Sequence, residues 1–503
     1  MKDFMKQNHF FTYSKMCVLA LTGASALLLA SCAKDGFTDE SFDSGVSGKQ
    51  VEAISADDIT ITPSADGKTQ TISWPVVMGA GGYRVNLVDI SNLDVPLIND
   101  SIVDGCSVTA KREEDVNYAL SILTLGNKKK NNTDAEEPVL KEFSTFTPTY
   151  KTIPAGSDLN EWFAANPIPA DSVGKNLNFD LEGGEKYTIS GVLDFDEQAV
   201  TLRSNSKTEH AVITLTDANS CINFTAGFNA KYLDWDCAAR VGAKGIFEFS
   251  KESSVTPANE LEPDKYSWAG PVILEPITFV SCNFTNVKSY FFFDNQQKTA
   301  CMTMLVDNCV VHMTPETNLG GGVFWTNKGG HINDLTVTNS TFFEPLDAAG
   351  DYKYFYQAGM DTGPGMYVKG SSYEAAATNS VTYTNSTFYH VTWNGNQWGN
   401  YNGMQSKTYS YWTMTDCIFY DCSPSGVARR FLHGRANQPH AVFNNNTYMK
   451  NDGTFQDPQN YDVSGTNIEE DPQFKDPANG DFTISGATQV ARRTGDPRWL
   501  PEN

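Results

Sequence analysis

One phrase, written six times between Ile277 and Tyr448, constrains this chain more than any other feature. It reads Ile277-Thr-Phe-Val-Ser-Cys-Asn-Phe284, Met304-Leu-Val-Asp-Asn-Cys-Val-Val311 and Leu335-Thr-Val-Thr-Asn-Ser-Thr-Phe342. It returns as Val381-Thr-Tyr-Thr-Asn-Ser-Thr-Phe388, Trp412-Thr-Met-Thr-Asp-Cys-Ile-Phe419 and Ala441-Val-Phe-Asn-Asn-Asn-Thr-Tyr448. The marker residues Ser281, Asn308, Asn339, Asn385, Asp416 and Asn445 are spaced by 27, 31, 46, 31 and 29 residues. Apolar and polar residues alternate up to the marker, break step there, and resume, which predicts a strand, a one-residue corner and a second strand. Asn and Asp suit such a corner, because their short polar side chains tolerate the left-handed region and bond locally. Repeats of this length, built from short strands without a helical stripe between them, predict the coils of a parallel β-helix, stacked about 4.8 Å apart. The crossover rule makes it right-handed. The longest interval predicts a normal coil carrying an insertion.

In the first five phrases the residue after the marker is Cys282, Cys309, Ser340, Ser386 or Cys417. A slot that takes Cys or Ser interchangeably predicts an inward ladder of small residues, with each thiol acting as a small buried group rather than half of a disulfide. Cys237, in Leu233-Asp-Trp-Asp-Cys237, is expected in the same slot of an earlier coil.

Lys2, Lys6 and Lys15 precede a short apolar run from Met16 to Ala30, which ends Leu29-Ala30-Ser31-Cys32. This resembles the signal peptide and lipobox of a bacterial lipoprotein. The resemblance implies cleavage after residue 31, lipid on Cys32, and a tether over residues 32–50. Lys34-Asp35 and Asp39-Glu40 resemble the export tag of lipoproteins displayed on the outer membrane. The formal charge of −23 excludes nucleic acid as a partner, since phosphate binding requires a basic face.

From residue 51 to about 150 the chain alternates as Thr69-Gln-Thr-Ile-Ser-Trp74, Tyr83-Arg-Val-Asn-Leu87 and Tyr118-Ala-Leu-Ser-Ile-Leu-Thr-Leu-Gly126. This order of Trp, Tyr-x-Val and Tyr strands resembles a fibronectin type III-like sandwich. Asp158-Leu-Asn-Glu161 has capping-box spacing, and Leu159, Trp162 and Phe163 predict a short helix, ended by Pro167, that plugs the β-helix. The β-helix is expected over residues 155–503, so the fold class is all-β. With the closing Asp471-Pro-Gln-Phe474 and Gly495-Asp-Pro-Arg-Trp499, the layout resembles pectate-lyase-like surface lipoproteins of gut-bacterial polysaccharide-utilisation systems. The resemblance implies a polysaccharide or oligosaccharide ligand and a glycan importer complex as neighbour. The fold itself carries lyases, hydrolases and non-catalytic proteins alike.

Three stretches are candidates for chemistry. Trp393-Asn394-Gly-Asn396-Gln397-Trp398-Gly-Asn-Tyr401 interleaves aromatics and amides, which suits a sugar with an apolar ring face and many hydroxyls. Trp393, Trp398 and Tyr401 are expected on the surface for stacking, with Asn394, Asn396 and Gln397 for hydroxyls, while Trp412 falls on the inward phase. Arg429, Arg430 and Arg435, near His433 and His440, form a cationic group. The resemblance to β-helix lyases implies, under a lyase reading, that they serve as base and as neutralisers of a uronate carboxylate, with Ca²⁺ as helper. The pattern favours arginines paired with some of the 60 acidic residues. The insertion brings Asp347, Asp351 and Asp361, read as a solvated loop rather than a cation site. Together these predict a surface lipoprotein that binds a polysaccharide and uses no cofactor. A polysaccharide lyase or hydrolase on the same surface, or an adhesive protein, is the alternative.

Overall fold

The structure, a computed structural model, describes residues 47–502 apart from 265–268, 296–298, 328–329, 359–377, 396, 402–403, 405–408, 437 and 459. Cys32, Asp361 and Asn396 therefore lie outside the described residues. The chain divides into two compact units, one ending at Phe146 and one running from Thr147.

The first unit has seven strands: β1 (Thr60–Pro63), β2 (Thr69–Ser73), β3 (Ala80–Asp89), β4 (Ile98–Val103), β5 (Ser107–Lys111), β6 (Asn117–Gly126) and β7 (Val139–Ser144). They form two antiparallel sheets, β1-β2-β5 and β4-β3-β6-β7, the arrangement of a fibronectin III-like sandwich. Alternation places Ile72, Tyr83, Val85, Leu87, Tyr118, Leu120 and Ile122 in one buried cluster with Trp74. The Tyr118 hydroxyl accepts from the Glu113 amide at 3.0 Å, the tyrosine corner expected at the start of such a strand.

The second unit is a parallel β-helix with three walls. Strands ending at the markers stack as the first wall, from Lys151–Ile153 to Ala441–Asn444. Strands beginning after them form the second, from Lys186–Ile189 to Thr447–Met449. A third runs from Val192–Asp194 to Gln397–Asn400. All six markers take the left-handed conformation, with φ between 46° and 55°. Their side chains link neighbouring coils: Asn308 Nδ2 donates to Ser281 Oγ at 2.8 Å, and Asn445 Nδ2 to Asp416 Oδ1 at 2.9 Å. The inward slot is fully buried, and its cysteines are free thiols. The Cys309 thiol donates to the Phe279 carbonyl at 3.3 Å.

Cys237 is not in that slot. The register pairs Asp234 with Asn283, so Leu233 fills the slot and Tyr232, at φ 57°, makes the corner. A search for a small residue passes over the leucine.

Helix α1 (Leu159–Ala165) is capped by Asp158, whose carboxylate accepts from the Glu161 amide at 3.1 Å. It buries Leu159 and Phe163 against the first coils, with Phe163 edge-on to Phe179 at 4.9 Å and to Phe195 at 5.0 Å. At the other end of the chain, Asp471 to Leu500 straps the outer face of the second wall. Phe482 packs on Phe343 at 5.0 Å and on Tyr389 at 5.2 Å. Thr341 Oγ1 donates to Asp496 Oδ2 and accepts from Trp499 Nε1, both at 2.8 Å.

Candidate functional site

The third wall carries two rows that differ in chemistry. Leu193, Ile222, Phe247, Phe292, Phe324 and Tyr356 occupy one register position in six successive coils, and all are buried. Burying each such side chain contributes about 1.5–3 kcal/mol, so this row is core. The next residue in each strand faces the other way, because side chains alternate across a strand. That outward row reads Asp194, Asn223, Glu248, Phe293, Trp325, Gln357 and Asn400. Asp194 is exposed, Glu248, Trp325, Gln357 and Asn400 are half-buried, and Asn223 and Phe293 are buried.

Several of these side chains are held in place. Arg240 Nη2 donates to Glu248 Oε1 at 2.8 Å, and Ser250 Oγ donates to Asp194 Oδ1 at 2.7 Å. The Trp325 ring meets Tyr290 edge-on at 5.1 Å and Phe293 at 5.1 Å. It also lies over Gly321, where a Cβ would come within 2.0 Å of the indole, so the site requires glycine there.

The aromatic stretch is not the exposed loop that its glycines and amides predict. Gln397–Asn400 is a third-wall strand paired with Tyr352–Gln357. Its Trp398 is fully buried, stacked on Phe355 at 4.7 Å with the rings 8° apart, and edge-on to Phe388 and Phe419 at 5.0 Å. Tyr401 is buried too, 4.7 Å from Trp412, with its ring over Gly399. Both are core side chains, because their packing on aromatic rings of neighbouring coils outranks the polar composition of the segment. Trp393 is half-buried, stacked on His390 at 4.6 Å, and donates to Glu344 Oε2 at 3.1 Å. The Asn394 amide donates to Asp351 Oδ2 at 2.8 Å. Gln397 lies beside Tyr354 on the adjacent strand and is half-buried.

The basic group sits one coil further on. Helix α2 (Val427–Phe431) packs against the Gln397–Asn400 strand and buries Val427, Ala428 and Phe431. Arg429 is exposed, Arg430 half-buried and Arg435 exposed. The expected pairing with acidic residues is not found: among the described residues no carboxylate lies within ion-pairing distance of these three. The buried Arg430 Nε has no partner, and burial, followed by the like charge of Arg429, holds its guanidinium below the usual arginine range. His433 Nδ1 donates to the Gly399 carbonyl at 3.3 Å, which ties this helix to the strand. His440 stacks on the exposed ring of Tyr411 at 4.3 Å.

The insertion also differs from expectation. Asp347 is exposed, but Asp351 is buried beside Glu344, which sequence reasoning missed. Burial and then the Asp351 charge push the Glu344 carboxyl well above its usual range. Among the described residues no group of three or more His, Cys, Asp or Glu side chains is placed to hold a metal. A cavity of about 760 Å³ opens beyond the last coil, lined in part by Asp457, Asp462 and Glu469, the wrong sign for an anionic ligand.

Three family models match the chain, and each is described as a domain of unknown function. One spans residues 5–184, a second (DUF4957) residues 185–345 and a third (DUF5123) residues 381–499. A comparison with curated proteins gives no match. Among solved structures, the chain is similar to pectate lyase PelI from Erwinia chrysanthemi in complex with tetragalacturonic acid. The identity is 12%, 70% of this chain and 88% of that chain are covered, and the TM-score is 0.22. A second structure of PelI gives 11% identity, 67% and 85% coverage and a TM-score of 0.18. Such distant likeness carries no argument about chemistry. The β-helix assignment rests on the strand ladder itself.

Proposed function

We propose that this protein is an exported surface lipoprotein that holds a polysaccharide along the third wall of its β-helix. The observation that carries the reading is the outward row, a line of polar and aromatic side chains over an apolar one. Trp325 offers a ring face to a pyranose, and Gln357, Asn400 and Gln397 offer amides to its hydroxyls. Arg429, Arg430 and Arg435, without carboxylate partners among the described residues, supply planar donors for a carboxylate or sulfate on the chain. The favoured ligand is therefore an acidic polysaccharide. The signal peptide at residues 1–31, the lipid on Cys32, display on the outer membrane facing outward, and delivery to a glycan importer belong to the same proposal.

A lyase on the same surface is the second reading, and the half-buried Arg430, whose Nε has no hydrogen-bond partner among the described residues and which sits beside Arg429, is what favours it, since proton removal next to a carboxylate needs a base and a cation placed together. One paired assay separates the two. The chain lacking residues 1–32 is run in affinity gels containing uronic-acid or neutral polysaccharides, beside absorbance for unsaturated products with and without Ca²⁺. Retardation without products, lost on Trp325→Ala and on Arg430→Gln, is the expected result. Unsaturated products would retire the binder in favour of the lyase, and neither signal would leave an adhesive scaffold.

A further inference from the structure

One end of the sandwich gathers side chains that its core does not use. The connection from β2 to β3 turns Val77 inward, where its amide donates to the Tyr83 hydroxyl at 2.9 Å. Its neighbours Val76 and Met78 are left 55% and 46% exposed. The connection from β6 to β7 begins Asn127-Lys128-Lys129-Lys130-Asn131, with Asn127 capping the lysine turn and Asn131 left-handed at φ 57°. The two connections are bonded together, since the Asn127 amide donates to the Gly79 carbonyl at 3.1 Å and Asn132 Nδ2 to the same oxygen at 2.9 Å.

The chain also enters the fold at this place. The Gly48 amide donates to the Lys130 carbonyl at 2.9 Å, and the Lys49 amide to Asn132 Oδ1 at 3.2 Å. The Thr133 amide donates back to the Lys49 carbonyl at 3.0 Å. Lys49 thus joins three consecutive lysines and two exposed apolar side chains, in a chain of net charge −23. Asp134, Glu136 and Glu137 follow in the same connection, so charge alone does not define the tip. The combination of ammonium groups with protruding Val and Met side chains is what fits a lipid surface. Phosphates of the headgroups meet the lysines, and the apolar groups reach the acyl boundary.

We propose that Val76, Met78, Lys49 and Lys128 to Lys130 form a docking tip for an anionic, phosphate-bearing membrane surface. The inference rests on the reading of Cys32 as the lipid-bearing residue. A chain from Cys32 to Gly48 reaches at most about 60 Å, so the anchor would confine the tip near the bilayer at an effective concentration in the millimolar range. Weak intrinsic binding is then enough to hold the sandwich down.

The test uses the chain from residue 32 onward with Cys32→Ser, sedimented with vesicles of phosphatidylglycerol and phosphatidylcholine or of phosphatidylcholine alone. The expected result is partition onto the anionic vesicles at least about tenfold stronger, falling about fivefold for each lysine changed to Gln and lost at high salt. Val76→Ser with Met78→Ser is expected to weaken it about tenfold with an unchanged melting temperature. Equal partition onto both vesicles, or no response to the four Lys→Gln changes, would overturn the tip. If a variant melts early, the salt arm on the unaltered sandwich decides. Labelling of the unmutated protein with palmitate is read separately. Label without vesicle preference removes the tip alone, whereas vesicle preference without label removes the anchor and leaves the tip standing.

Discussion

The second and third walls are built by the same coils and meet the same inward demand, yet their outer faces differ. On the second wall, Phe343, Tyr389 and Tyr420 point away from the core and are covered by Phe474 and Phe482 of the chain's own C-terminal strap. Its threonines are also taken, Thr341 by Asp496 and Trp499 and Thr387 by the Asp496 amide at 3.1 Å. On the third wall, Trp325, Gln357 and Asn400 are half-buried in a polar row, and the arginines beyond have no carboxylate partners among the described residues. Aromatic side chains on the outside of a solenoid are therefore not one class. Where the chain supplies their cover they are structural, and where it leaves ring faces beside amides and cations they are available to a ligand.

The largest expected difference lies in Phe482. It is fully buried between Phe343, Tyr389 and Trp499, so Phe482→Ala should destabilise the β-helix by about 3–5 kcal/mol in urea unfolding. Trp325→Ala, at a half-buried ring, should cost about 1–2 kcal/mol. Equal losses would erase the distinction between a covered and an available face.

The strap should also respond to pH. Burial, outweighing the Arg498 charge and the hydrogen bonds, pushes Asp496 up to about 6 from 3.8. The folded state then holds a proton that the unfolded chain releases at lower pH. The stability contributed by this group is complete below about pH 4 and falls as pH rises to about 6, by at most about 3 kcal/mol. Hydrogen exchange at the Ile484 amide, bonded to the Trp499 carbonyl at 2.9 Å, should accelerate over that window and become pH-insensitive, beyond its intrinsic chemistry, in Asp496→Asn.

The contrast also explains what the sequence disclosed. The first two walls were legible because a period of two, a break and a resumption are written out in each coil, and every marker takes the left-handed conformation that the break predicts. The third wall was not. Its strands shift register between Gly242 and Gly245 and between Leu319 and Gly322, and Tyr290 to Phe293 are four buried aromatics in succession. Neither pattern leaves an alternation to read. Trp398 and Tyr401 were misplaced for a related reason: Gly399 marks a ring packed over backbone, not a solvent turn. The basic helix was visible as a charge cluster, but that its arginines have no carboxylate partner among the described residues depends on packing between coils that no local pattern encodes.

The smallest expected effect on stability is the sharpest test of the comparison. Arg429 and Arg435 are exposed and have no ion-pair partner among the described residues, so changing both to Gln should shift stability by no more than about 0.5 kcal/mol. The matching change on the second wall, Arg498→Gln, gives up a bond to Asn308 Oδ1 at 2.6 Å and the pairing with Asp496, and should cost about 1–2 kcal/mol. Retardation by an acidic polysaccharide should run the other way. It should fall at least tenfold in the Arg429/Arg435 variant, survive in Arg498→Gln, and weaken with salt in the unaltered chain. If the two variants bind alike, Arg429 and Arg435 are ordinary surface and the third wall loses its claim to the ligand. If only the first loses binding while keeping its stability, the two faces divide the labour of one coil, the second wall closing the fold and the third meeting the polysaccharide.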